Sequence, residues 1–235
     1  SPNYMIFRPQ RSAKLIMNAS NLTLDQFITL KHDTKSELAL RLQDDFEGLK
    51  ALTKDSVTIA ALNVLTEWDA SFDASSKGAV LFMNIIQRMG TAGFFEKKWS
   101  FESPVSSPDG LMNPVQTLEI IKAVAQSQID KLGNLSPEYG DLFRLKVGAH
   151  EFSGNGGPGN IGIFRTLYYV PGGDGKFYPY HGDSFVCAIE FGENVQAKAL
   201  LSYGNATQPG NPHVGDQLQL FAKKQLRTVW YTRAD

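Results

Sequence analysis

Ser1 is the residue whose position alone could make it a catalyst. A serine at a true N-terminus attacks an amide while its own α-amino group, with a pKa of about 8, acts as the general base. A serine exposed by any other cleavage looks the same, so Ser1 is a catalytic candidate only where the chain start is a true processed nucleophile. His181-Gly182-Asp183-Ser184 places three catalytic residue types within four positions. Ser–His–Asp chemistry needs a histidine reaching both partners, usually from separate segments, and the Gly-x-Ser-x-Gly elbow is absent. A turn at Gly182-Asp183, with Ser184 opening the next strand, accounts for the same residues. The run Ser153-Gly154-Asn155-Gly156-Gly157-Pro158-Gly159-Asn160 suggests a phosphate cradle. No Lys-Ser or Lys-Thr follows it, and Ile161-Gly162-Ile163-Phe164 is strand-like, so a flexible loop is the better reading. His32, His150, His181 and His213 include no i, i+4 pair able to grip zinc, and no metal site is expected from this chain. Trp68-Asp69 and Asp73 could pair carboxylates for acid–base work, but a helix end followed by a turn explains them as well.

These residues must be held by helices first and strands afterwards. Only 5 of the 21 glycines fall in residues 1–130, against 16 in residues 131–235. The first segment reads as helical: apolar side chains bunch in 11–17, Thr23 is an N-cap pattern before Leu24, and leucines recur through 35–43. Ile59, Leu62, Leu65 and Trp68 recur at three-residue steps and define one apolar face. Residues 76–88 and 115–132 are further helices, joined by a proline-bearing connector over 94–114. In the second segment 161–170, 185–191 and 197–203 are β-branched and aromatic, bounded by glycine or asparagine turns. Phe185, Cys187, Ile189 and Phe191 alternate with Val186, Ala188 and Glu190, which predicts a strand buried on both faces inside a layered sandwich. The class is α+β, with helices on at least one face of a mainly antiparallel sheet.

Composition narrows the function. The chain has 235 residues, with 23 Lys plus Arg against 24 Asp plus Glu, so no basic field gathers nucleic acid. No apolar run reaches the roughly 18 residues that a membrane span requires. Cys187 is the sole cysteine, which excludes an internal disulfide and cysteine-based zinc.

Several segments, in order, resemble the penicillin acylase family, in its aculeacin and acyl-homoserine-lactone acylase branch. The most specific are Ser202-Tyr203-Gly204-Asn205-Ala206, Pro209-Gly210-Asn211-Pro212-His213 and Asp216-Gln217-Leu218. Gly182-Asp183-Ser184 and Glu190-Phe191 precede them, and Trp230-Tyr231-Thr232 follows. Upstream lie Arg11-Ser12-Ala13, Leu22-Thr23-Leu24-Asp25, Asp33-Thr34, Trp68-Asp69 and Gly78-Ala79-Val80-Leu81-Phe82. The match is weakest between about Gly90 and Leu145.

The resemblance implies an N-terminal-nucleophile amidohydrolase with an αββα sandwich, cut from a precursor into α and β chains. The first serine of the β chain attacks an acyl amide, and an asparagine with a backbone N–H holds the oxyanion. The segments match the C-terminal part of the β chain, so the nucleophile, the asparagine and the acyl pocket are expected on other polypeptide. Ser1-Pro2 lacks the Ser-Asn and nearby Trp typical of the family's β-chain start. The one functional residue the resemblance places here is an arginine that supports the asparagine. Counting back from Leu22-Thr23 gives Arg8, with Arg11 one turn on; a surface ion pair at a helix start is the rival role for Arg8. Calcium is expected only in the full enzyme, on ligands outside this chain, and the chain alone is expected to be inactive. The implied partners are the rest of the β chain, the α chain and a small acyl amide, in a periplasmic or secreted setting. β-Lactam, homoserine-lactone and lipopeptide substrates are not separated. A self-contained, non-catalytic ligand-binding or structural α+β module is the alternative.

Overall fold

The computed structural model describes residues 4–230. Helices dominate the first part: α1 (Phe7–Met17), α2 (Leu24–Lys31), α3 (Glu37–Leu49), α4 (Ser56–Glu67), α5 (Ala79–Met89) and, after two short strands, α6 (Pro114–Leu132). Their starts follow from local chemistry. Thr23 and Gln26 form a reciprocal capping box on α2, the Ser36 and Asp55 side chains accept the Ala39 and Thr58 amides, and Asn113 caps α6 just before Pro114. Gly133 ends α6 in the left-handed region at φ +64°. Leu38, Leu42, Phe46 and Leu49 recur at steps of three or four, so α3 buries a continuous stripe. That stripe joins Leu62, Leu65, Phe82, Ile85 and Ile121 in one large core. Trp68, Phe72, Phe82 and Tyr139 meet edge-on or tilted within it. A Cβ on Gly78 would stand 2.4 Å from the Trp68 ring, so only glycine lets α5 start there.

The β part is antiparallel throughout but divided. Strands β1 (Phe95–Lys97) and β2 (Asp109–Leu111) pair inside 94–114, which the sequence read as a plain connector. After α7 (Tyr139–Leu142), β3 (Arg144–Val147) pairs with β4 (His150–Ser153), and β5 (Leu167–Pro171) with β6 (Phe177–Gly182). Strand β7 (Phe185–Glu190) then pairs with β8 (Gln196–Leu201), which pairs with β9 (Arg227–Val229) after α8 (Leu218–Ala222). A smaller core of Leu145, Leu167, Leu200, Leu218 and Phe221 joins these sheets. The class is α+β, with a helical first part and antiparallel strands after it, as the sequence implied.

Three expectations are corrected. Residues 161–166 are not strand: 159–161 form a 3-10 turn and Gly162 is left-handed at φ +92°. The cause is close packing, because a Cβ on Gly162 would lie 2.5 Å from that of Glu37, and the Ile161 carbonyl accepts the Ser36 hydroxyl at 2.6 Å. The helix expected over 76–88 begins only at Ala79, since Gly78 carries its N-cap. Strand β7 is covered on one face alone: Val186 and Ala188 are buried, while Phe185 is 65% and Ile189 49% exposed. Helix α2 packs against β7, and among the described residues no second layer covers the opposite side.

Candidate functional site

Ser1 lies outside the described residues. Arg8 and Arg11 stand three residues apart on α1, which buries Phe7 and Gln10 beside them. Pro9 sits in the first turn, where its missing N–H costs no helical bond. The Arg8 guanidinium lies 5.1 Å from the centroid of the Phe164 ring and donates from Nη2 to the Phe164 carbonyl at 3.2 Å. Its Nε is buried and has no partner. The surface ion pair considered for Arg8 belongs instead to Arg11, which grips Asp33 with two parallel bonds of 2.8 and 2.7 Å. That bidentate pair holds the Arg11 charge above the ordinary arginine range, even against the opposing effect of burial.

Asp33 joins α1 to a polar layer behind it. Its carbonyl accepts the Arg165 amide at 2.9 Å. Arg165 is fully buried, donating from Nε to Asn155 Oδ1 at 2.6 Å and from Nη2 to the Phe221 carbonyl at 2.7 Å. Burial lowers its pKa to about 10, which still leaves it charged at neutral pH. Lys31 bonds Asp183 at 2.5 Å and stands 5.6 Å from the same Phe164 ring that carries Arg8. Lys224 bonds Asp73, which also accepts the Thr34 hydroxyl at 2.8 Å. His32 is buried and held neutral, its pKa lowered to about 3 first by burial and then by the nearby charges of Arg165 and Lys31.

The other candidates have structural places. His181 and Gly182 are the last residues of β6, where Gly182 takes φ +138° and a Cβ would stand 2.3 Å from the Thr166 carbonyl, so the expected turn at Gly182-Asp183 is replaced by a two-residue link, Asp183-Ser184, into β7. Residues 153–160 lead from β4 into the 3-10 turn: Gly154 and Gly156 donate to the Phe143 and Phe72 carbonyls, and Asn155 to that of Ala222. Their hydrogen bonds serve the fold. Trp68 donates its ring N–H to the Ser71 carbonyl and the Ser76 hydroxyl, and Asp69 caps the turn at Ser71. His213 bonds Asp216 at the surface, 3.0 Å apart. Among the described residues no histidine is hydrogen-bonded to a serine, threonine or cysteine, and no group of three His, Cys, Asp or Glu is placed to hold a metal. None of the described helices is long and apolar enough to cross a membrane.

Lys31 and Arg165 were not singled out from the sequence, and Asn155 and Phe164 entered it only as members of the runs 153–160 and 161–164. Arg165 left a signal, as the one charged residue in the apolar run 161–170. The arrangement can donate hydrogen bonds and hold cations over an aromatic face, but it supplies no nucleophile.

The family model described as Penicillin amidase matches residues 3–235, and the chain belongs to that family. It is 29% identical over 177 residues to the acyl-homoserine lactone acylase PvdQ of Pseudomonas savastanoi pv. phaseolicola, covering 72% of this chain and 23% of the relative. It is 30% identical over 183 residues to the aculeacin-A acylase of Actinoplanes utahensis, covering 74% and 22% respectively. A thermostable penicillin G acylase from Alcaligenes faecalis aligns over 97% of this chain and 50% of that one, with 13% identity and a TM-score of 0.49. The chain thus spans about a quarter of the length of the curated relatives it matches.

Proposed function

We propose that this chain is the C-terminal part of the β chain of an acyl-amide hydrolase whose nucleophilic serine lies on other polypeptide. The observation that carries the reading is a family match over residues 3–235 combined with described side chains that assemble no nucleophile–base pair. In this reading the serine hydroxyl attacks the acyl carbonyl, and its own amine takes the proton and passes it to the leaving nitrogen. An asparagine and a backbone N–H hold the oxyanion, and water then releases the acyl group. The free Nε–H of Arg8 is the donor available to orient that asparagine, with the Phe164 ring and carbonyl fixing the guanidinium plane. The relatives that are acyl-homoserine lactone and aculeacin-A acylases favour substrates of those two kinds over a β-lactam. Nearly exposed apolar residues on β7 favour a further layer of the same enzyme, drawn from the rest of the β chain or from the α chain, as their cover. Export to the periplasm or medium goes with the reading. A calcium ion in the whole enzyme finds no three-residue ligand set among the described residues, and no step runs through it.

The test uses the full-length protein with an acyl-homoserine lactone and with aculeacin A, following amine release. Replacing the first residue of its mature β chain by alanine should abolish turnover; retained turnover would remove the reading. Arg8→Gln should lower kcat by about 10- to 100-fold, on the scale of a lost orienting partner, with an unchanged melting temperature. An unaltered kcat would return Arg8 to a purely structural role.

A further inference from the structure

We propose that a small monovalent anion, of chloride or bromide size, binds inside this chain between Nη1 of Arg165 and the ring of His32. Both side chains are sealed, with 0% and 3% of their surface exposed. Nη1 of Arg165 is buried without a hydrogen-bond partner, and so are both ring nitrogens of His32 apart from a looser contact with the Ile28 carbonyl. Buried donors of this kind are nearly always satisfied, and an orphaned one calls for an acceptor. The two residues are neighbours: the Arg165 amide donates to the carbonyl of Asp33, the residue after His32, at 2.9 Å, and the charge of Arg165 acts directly on the His32 ring.

The balance of charge decides what the acceptor is. Three carboxylates surround this layer, and each is already taken by another cation: Asp33 by Arg11, Asp183 by Lys31 and Asp73 by Lys224. Arg165 has no carboxylate in direct contact, and Asp183 and Asp73, already paired, act on it only through space. Its Nε and Nη2 meet only neutral acceptors, the Asn155 side chain and the Phe221 carbonyl. The ring of Phe221, 4.2 Å from the guanidinium carbon, adds attraction but no compensating charge. A buried ion without a counter-ion is costly. A water molecule would satisfy the orphaned donors and leave the charge uncompensated; a halide does both, accepting from Nη1–H and from whichever ring nitrogen of His32 carries the proton. The inference is independent of the proposed acylase activity.

The test uses the full-length protein. Crystals grown in sodium bromide and measured at the bromine absorption edge should show an anomalous peak within hydrogen-bond distance of Arg165 Nη1 and a His32 ring nitrogen. In solution the melting temperature should rise saturably with sodium bromide relative to sodium gluconate at equal ionic strength. The midpoint of that rise should move at least about tenfold upward in His32→Phe, which keeps the ring volume and removes the donor. Halide should also raise the pKa of His32 followed by NMR, since a bound anion offsets the charge of Arg165. Arg165→Met would abolish the halide response if it folds, and His32→Phe carries the comparison if it does not. Water in place of the peak, bromide on surface cations alone, or a melting temperature indifferent to halide would each overturn the proposal.

Discussion

Leu62 and Leu200 are both sealed from solvent, yet the layers around them differ in kind. Leu62 sits in a core that α3, α4, α5 and α6 close from several sides, with Phe7, Ile161 and Ile163 completing it. Leu200 belongs to a core of five buried residues, and the three-stranded sheet that carries it leaves Phe185 and Ile189 facing outward. Helices α3, α4 and α5 bury their apolar stripes against one another, whereas the three-stranded sheet buries one side of β7 and exposes the other. Helices can seal a core within a short stretch of chain because each adds a stripe to a common centre. A strand that is apolar on both faces needs a layer on each side, and the described residues provide only one for β7.

The contrast can be broken most forcefully in the helical core. Leu62→Ala should cost about 2–5 kcal/mol of unfolding free energy, and Leu200→Ala the lower end of that range, as read by chemical denaturation. Equal losses would mean that the β region is as tightly closed as the helices. Next is the joint between the two regions: Asp33→Asn removes one arm of the Arg11 pair and should cost about 1.5–3 kcal/mol. A loss below about 0.5 kcal/mol would show that Arg11 finds another partner.

Acid sharpens the comparison further. His32 has a folded pKa of about 3 against 6.5 for the free side chain, so the unfolded chain binds the proton more readily between those values. In low-halide buffer the His32 contribution is present above pH 6.5 and is lost as pH falls toward 3. His32→Phe should therefore flatten the dependence of the denaturation midpoint on pH across that window; an unchanged slope would place the acid sensitivity elsewhere. The smallest effect belongs to the open sheet face. Phe185→Ser and Ile189→Thr should each change the stability of this chain alone by no more than about 0.5 kcal/mol. A loss above 1 kcal/mol would show that this face is already packed within the chain.

Much of this was legible in the residues. Thr23 before Leu24, the leucine-rich stretch up to Leu49 and the run 115–132 each announced a helix, because capping and periodicity act within a few residues of themselves. Residues 161–166 misled: their β-branched and aromatic content suggested a strand, but the approach of Gly162 to Glu37 joins positions more than a hundred residues apart. The candidate site was legible only at its edge. Arg8 was placed through the resemblance, while Phe164, which fixes its guanidinium, became visible only once the two segments touched.

The sequence by itself determined the helical first part and the β-rich second part, the near-neutral charge and the family, since each is written in local spacing, in composition or in motifs read in order. Tertiary structure alone decided which carboxylate neutralises which cation. Asp33, Asp73 and Asp183 are far apart in the chain, and it is their distances to Arg11, Lys224 and Lys31 that leave the buried Arg165 without a carboxylate in direct contact. Charge pairing falls off with distance in space, and separation along the chain does not enter it.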